Sequence, residues 1–130
     1  MLSSKKKLEA EISEAFIKFQ RELIGKGPQE AKTYIIKDML ITRFKGVLTV
    51  EEKHLVRNDT GKKLVKQMRT LLRELYSAEH ERIVEESTGC KVLSSHSDIS
   101  TNTGERIEVF ILEKDLEQIL TSQSEKELRK

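Results

Sequence analysis

The feature that most constrains this chain is the block at residues 25–52, GKGPQEAKTYIIKDMLITRFKGVLTVEE, where a helix stop, a strand-rich segment and a helix start follow one another closely. Gly25 and Gly27 supply the left-handed backbone that ends a helix, and Pro28 forbids its continuation. Residues 32–44 then concentrate β-branched and aromatic side chains, Thr33, Tyr34, Ile35, Ile36, Ile41, Thr42 and Phe44, on either side of the polar pair Lys37 and Asp38. That pattern predicts two short strands in a hairpin. Gly46 closes the pair, and Thr49 with Glu52 three residues later predicts a capping box that launches a short helix over residues 50–57. Asn58 and Asp59 then break the pattern.

On the N-terminal side, Leu8, Ile12, Ala15, Phe16, Phe19 and Leu23 keep the spacing of one buried stripe, which predicts a helix from Ser4 to Ile24 with Ser3 or Ser4 as its N-cap. On the C-terminal side, Asp59 or Thr60 is expected to cap a long helix through about residue 87, ended by Gly89. Leu64, Val65, Met68, Leu71, Leu72 and Leu75 form its expected core face. Continued past Leu75, the same stripe meets Glu79, Arg82 and Glu86, which form either a solvated ladder or a partner contact. Residues 91–99 and 106–112 alternate as strands around the turn sequence Ser100-Thr101-Asn102-Thr103-Gly104.

The order is therefore helix, glycine-terminated end, hairpin, given twice. It predicts an α+β two-layer sandwich: two αββ units forming a four-stranded antiparallel sheet, two long helices on one face and a short helix between the units. The 130 residues fit a single domain with a core at about 4–112 and a C-terminal helical segment and tail at 113–130. If the first turn preserves register, Tyr34, Ile36, Leu40, Thr42 and Phe44 share one parity and Ile35, Met39, Ile41 and Arg43 the other, so the hairpin is apolar on both sides. The uncovered face then needs a homodimer, or the C-terminal segment with Leu116, Ile119 and Leu120 folded back on it.

Composition narrows the function classes. Lys and Arg number 24 against 22 Asp and Glu, and the net charge of +2 gives no support for a polyanion partner such as nucleic acid. A single cysteine, Cys90, cannot form an internal disulfide and fits a reducing cytoplasm. The longest apolar runs, such as Met39 to Ile41, fall far short of the roughly 20 residues of a spanning helix. No signal-like apolar segment follows Lys5, Lys6 and Lys7, so the chain reads as mature from Met1.

The succession GKGP at 25–28, YIIKDMLITRFKGVLTVEE at 34–52, GKKLVKQMR at 61–69 and TGCKVLSSHSDI at 88–99 resembles the MpsC-like family, small bacterial proteins long classed as a domain of unknown function. The resemblance runs from the first helix to about residue 112, and its matching positions include Gly25, Gly27, Pro28, Asp38, Gly46, Leu48, Thr49, Glu52, Gly89 and Asp98. It implies an accessory role beside a cation-translocating, membrane-potential-generating system whose membrane components are related to the ion-pumping subunits of respiratory complex I and linked to inorganic-carbon uptake. It also implies a cytoplasmic location peripheral to the membrane, and it carries over no catalytic residue.

The residues themselves offer little chemistry. His54, His80 and His96 stand far apart and outside any metal-binding spacing, and neither GKG at 25–27 nor TGKK at 60–63 completes a phosphate loop. Cys90 is expected as a small hydrophobe at a strand start. No catalytic residue, metal or cofactor is therefore expected. Candidate ligand or partner residues are Asp38 and Asp98 at corresponding places in the two units, with Arg43 or Arg106 as neighbours, Arg69 with Arg73 one turn on, which either bind an anion or face water beside Glu74 and Glu79, and the ionic set Glu79, Arg82 and Glu86. A non-enzymatic interaction module, as a homodimer meeting a membrane transport complex, is the leading reading. Nucleic-acid binding through strand aromatics such as Tyr34 and Phe44, and a ligand sensor or enzyme using Asp38, Arg43 and Asp98 at a subunit cleft, are the alternatives.

Overall fold

The computed structural model describes residues 4–128. It is an α+β structure in the order α1 (Ser4–Ile24), β1 (Glu30–Ile36), β2 (Met39–Lys45), α2 (Val50–Leu55), α3 (Asp59–Leu75), α4 (Ser77–Thr88), β3 (Val92–Ile99), β4 (Arg106–Leu112) and α5 (Leu116–Leu128). Each hairpin stays intact and the two meet through their second strands, giving one antiparallel sheet in the order β1-β2-β4-β3. Ser4 opens α1, while Ser3, the other expected cap, lies outside the described residues.

The core lies between the sheet and the helices. Phe16 of α1 is fully buried, edge-on to Phe44 and stacked with Phe110 at ring distances of 5.8 Å each. Ile12 beside it, Ile35, Leu40 and Leu112 from the sheet, and Val84 from α4 complete the centre. Phe19, expected in the same stripe, is only half-buried at the rim, against Tyr76 and His80.

The first hairpin turns on two residues, so Ile36 faces Met39 and Thr33 faces Thr42. This corrects the expected grouping, because a two-residue turn pairs odd positions with even ones. Thr33, Ile35, Leu40, Thr42 and Phe44 are buried on the core face, while Tyr34, Ile36, Met39, Ile41 and Arg43 share the open face. Lys37 holds the turn at φ 57, a conformation that glycine adopts more readily. Its amide donates to Glu117 Oε1 (3.2 Å), its carbonyl accepts from the Glu117 amide (3.2 Å), and Lys5 pairs with the other Glu117 oxygen at 2.7 Å. The C-terminal segment thus forms α5, whose Leu116 and Leu120 are buried as it packs on α1 and β1. It does not cover the open face.

The expected long helix is two. At Tyr76 (φ −111, ψ 23) the helical backbone bends, and the Ser77 hydroxyl donates to the Arg73 carbonyl across the bend at 3.1 Å. No glycine or proline marks the position. The bend lets α4 pack on α1 through His80 and Val84, while α3 lies along β3. Helix α3 is capped by Asn58, whose Oδ1 accepts from the Gly61 amide at 2.8 Å, rather than by Asp59 or Thr60.

The largest correction concerns which face of α3 turns inward. Its buried residues are Gly61, Val65, Arg69 and Arg73. Leu64, Met68, Leu71 and Leu75, expected in the core, are 52%, 46%, 58% and 65% exposed. At about 100° per residue these four lie on one flank of the helix, roughly a quarter turn or more from the arginines.

Gly61 permits this packing because a Cβ there would overlap the carbonyl oxygen of Leu55 at the end of α2. Alanine in a helix is ordinarily worth about 1 kcal/mol over glycine. Here the sign should invert, with Gly61→Ala lowering stability by about 3 kcal/mol or more in urea unfolding, since α2 must be displaced. A neutral or stabilised variant would show that α2 and α3 are not in this close contact.

Candidate functional site

The residues with most chemical potential are buried between α3 and the second hairpin, and they begin with a helix cap. The Thr49 hydroxyl accepts from the Glu52 amide at 3.1 Å and the Glu52 carboxylate accepts from the Thr49 amide at 2.9 Å, completing the expected capping box. The same carboxylate is 3% exposed and receives Arg69 as a fork, Nε to Oε2 at 2.7 Å and Nη2 to Oε1 at 2.5 Å. Arg69 Nη2 also donates to the Val47 carbonyl at 2.6 Å. One side chain therefore caps α2 and holds α3. Burial pushes the Glu52 pKa up, but Arg69 and the Thr49 amide outweigh it and hold the carboxyl below its ordinary range.

One turn on, Arg73 donates through Nε to both oxygens of Glu108, at 2.6 and 3.1 Å, and through Nη1 to Ser77 Oγ at 2.9 Å. Glu108 is fully buried in mid-strand, where it also accepts from Ser97 Oγ and, at 3.5 Å, from Arg106 Nη1. The Arg73 guanidinium lies 5.9 Å from the Phe110 ring centre. Its Nη2 is the one buried side-chain nitrogen or oxygen without a hydrogen-bond partner among the described residues. Burial lowers the Arg106 pKa; Glu108 pulls it up, and the Arg69 and Arg73 guanidiniums pull it down.

The cluster continues as a polar row across the core face of the sheet. Thr33, Thr42, Glu108 and Ser97 are successive cross-strand partners. Ser13 of α1 extends it, bonding Thr33 at 2.8 Å, and Thr33 bonds Thr42 at 2.9 Å. His80 sits beside it, 2% exposed, with Nδ1 2.7 Å from the Tyr76 carbonyl; since a carbonyl only accepts, Nδ1 carries the hydrogen and donates this bond. Burial depresses its pKa, the Tyr76 carbonyl opposes that, and Arg73 lowers it further, with Glu108 and Arg106 acting in opposite senses.

A cleft of about 200 Å3 opens between α3 and β3, lined among others by Arg69, Arg73, Arg106, Ser77, Ser97 and Asp98. Of the residues singled out from sequence, Arg69, Arg73, Arg106 and Asp98 come together here. Asp98 is exposed and pairs with Lys66 at 3.2 Å. Asp38 is in the first turn at the other end of the sheet, where its carbonyl accepts from Leu112, so the two aspartates form no common site. Arg43 lies on the open face, paired with Glu105 at 2.6 Å. Arg82 and Glu86 are exposed and Glu79 half-buried on α4, whose inward residues are His80 and Val84. Phe44 is buried, leaving Tyr34 as the exposed strand aromatic. Among the described residues no three His, Cys, Asp or Glu side chains are placed to hold a metal ion, and no helix is long and apolar enough to cross a membrane.

Glu108, Ser77 and the second role of Glu52 were missed. Their signal was the shared parity of Arg106 and Glu108 with Phe110 and Leu112, and the i, i+4, i+8 row of Val65, Arg69 and Arg73.

Arg69→Met should cost about 3–5 kcal/mol, because Glu52 stays buried without its cation. The double variant Glu52→Gln with Arg69→Met keeps the cap and should recover most of that loss in a urea double-mutant cycle; additive costs would contradict the coupling. Acid stability follows from His80. Its unfolded pKa is near 6.5 and its folded value lower, so the unfolded chain binds the extra proton. That contribution is fully present above pH 6.5 and is lost as pH falls through the folded value. Glu52 adds in the same sense only below about pH 4.5. The melting midpoint should therefore decline from pH 7 towards 5, and His80→Phe should flatten the decline; an equal slope in both proteins would assign it elsewhere.

The chain is 39% identical over 124 residues to the uncharacterized protein YbcI of Bacillus subtilis (strain 168), covering 92% of this chain and all of that protein. It is 28% identical over 109 residues to the uncharacterized protein YrhF of the same organism, covering 83% of this chain and 89% of that protein. No solved structure matches it. The family described as Na+-translocating membrane potential-generating system (MpsC) matches residues 4–114, and with that span, containing the whole arginine–glutamate cluster, the chain belongs to the MpsC family.

Proposed function

We propose that this protein is a non-enzymatic accessory module of a Na+-translocating, membrane-potential-generating system, acting in the cytoplasm at the membrane periphery and docking on another component through α3. The observation that carries the reading is the exposed flank of Leu64, Met68, Leu71 and Leu75. Their spacing of four, three and four residues is the anchor pattern of a helix laid against an apolar groove or a second helix. Leaving four such side chains about half in water forgoes roughly 1 kcal/mol each. A partner that buried them would recover it. Family membership supplies the kind of system, and the buried cluster explains why the flank is not used internally.

The homodimer is proposed through the other unpartnered surface. On the open face Tyr34, Ile41 and Val109 form one cross-strand row and Ile36, Met39 and Ile111 the next. Tyr34, Ile36 and Ile107 are exposed there. Two such faces stacked would make an ordinary sheet-on-sheet core.

The two surfaces are separable by experiment. Ile36→Glu should convert a dimer to a monomer in light scattering while tagged protein still recovers a membrane transport subunit from gently solubilised native membranes. Leu71→Glu should abolish that recovery and leave the dimer. A wild-type monomer at all concentrations would remove the dimer proposal; equal recovery with wild type and Leu71→Glu would remove the docking role of α3.

A further inference from the structure

We infer that the cleft between α3 and β3 is a binding site for a small oxyanion such as inorganic phosphate or sulfate. Three guanidiniums, Arg69, Arg73 and Arg106, line it, each no more than 6% exposed, and they share the two buried carboxylates Glu52 and Glu108. The interior of the site thus carries one positive charge more than its own acids neutralise. On the rim, Asp98 is paired with Lys66, and Glu74 is exposed, where water screens it.

The hydrogen-bond inventory agrees. Guanidinium groups donate and never accept, and among the described residues buried Arg73 Nη2 has no acceptor. Leaving such a group unsatisfied costs about 1–3 kcal/mol, more when charged. The serine hydroxyls at the cleft are already committed, Ser77 to the Arg73 carbonyl, Ser95 to Glu81 and Ser97 to Glu108, so the donors left for an oxyanion are the guanidiniums. Arg73 also borders a second space of about 20 Å3 with Gln20, Arg69, His80 and Arg106, room for roughly one water. At about 30 Å3 per water, a cleft of about 200 Å3 takes a small anion with part of its hydration shell. Arg69 and Arg73 spend their forks on Glu52, Glu108 and Ser77, whereas Arg106 meets Ser97 and Glu108 only at 3.5 Å and keeps the guanidinium edge that suits a tetrahedral or trigonal oxyanion.

The test uses two exposed or rim positions that touch neither the buried pairs nor the apolar flank. Thr70→Glu places a carboxylate at the mouth of the cleft, and Glu74→Gln removes one. Melting midpoints are measured in sodium phosphate, sulfate and chloride at constant ionic strength. Phosphate or sulfate should raise the midpoint saturably while chloride does not. Thr70→Glu should weaken the apparent Kd at least tenfold with its midpoint in chloride unchanged, and Glu74→Gln should tighten it two- to fivefold. Co-sedimentation with phosphatidylglycerol vesicles runs alongside: vesicle binding that Thr70→Glu abolishes assigns a lipid phosphate, and a response to inorganic ions alone assigns a free oxyanion. Midpoints in phosphate and sulfate no higher than in chloride, with no vesicle binding, would overturn the site. So would equal responses from wild type and Thr70→Glu. Recovery of the proposed membrane partner is read on Leu71→Glu and is independent of these outcomes.

Discussion

Two guanidinium–carboxylate pairs decide how this molecule is built. Arg69 on Glu52 and Arg73 on Glu108 turn the charged side of α3 towards the sheet and leave its leucines in water. Such pairs are poor sources of net stability, because the desolvation of four charges offsets most of their attraction. Their influence is on geometry. Once the carboxylates are committed, by Glu52 as the cap of α2 and by Glu108 in the middle of a central strand, any rotation of α3 that buried the leucines would strand charges in the core. The cost of that, several kcal/mol per charge, exceeds what four half-exposed apolar side chains can return.

The remainder of the core is arranged around the same commitment. A polar row crosses the sheet from Thr33 to Ser97, with Ser13 above it and His80 alongside, and the aromatic packing of Phe16, Phe44 and Phe110 lies next to it. Arg73 joins the two regions, bonding Glu108 on one side and facing the Phe110 ring on the other. The outcome is a two-layer molecule whose interior is unusually ionic on the α3 side and conventionally apolar under α1.

Local signals were read correctly where the physics is local. The extent of α1, the capping box at Thr49 and Glu52, the glycine end at Gly89 and both hairpins follow from steric and hydrogen-bonding rules acting over a few residues. The inward face of α3 does not. The apolar residues outvoted Arg69 and Arg73 because hydrophobic periodicity counts side chains and cannot see a carboxylate arriving from residue 52 or 108. The bend at Tyr76 is likewise invisible, since its cause is the destination of α4 on α1 rather than a breaker in the chain. The strand parities failed through one unknown, the two-residue turn at Lys37 and Asp38, which exchanged the faces of β1 relative to β2. Asp38 and Asp98 looked equivalent by position within each αββ unit, yet the antiparallel meeting of β2 and β4 sends them to opposite ends of the sheet.

The open face of the sheet and the leucine flank of α3 belong to opposite layers, the first turned away from the helices and the second part of them. Covering one leaves the other free. A two-fold pair formed across the sheet would therefore present two α3 helices, giving a bivalent particle from a chain with a single copy of each surface. Weak individual contacts would then add through effective concentration, by factors of roughly 10² to 10⁴ where spacing permits both to engage. Such a particle would cluster its targets at a surface rather than merely occupy them.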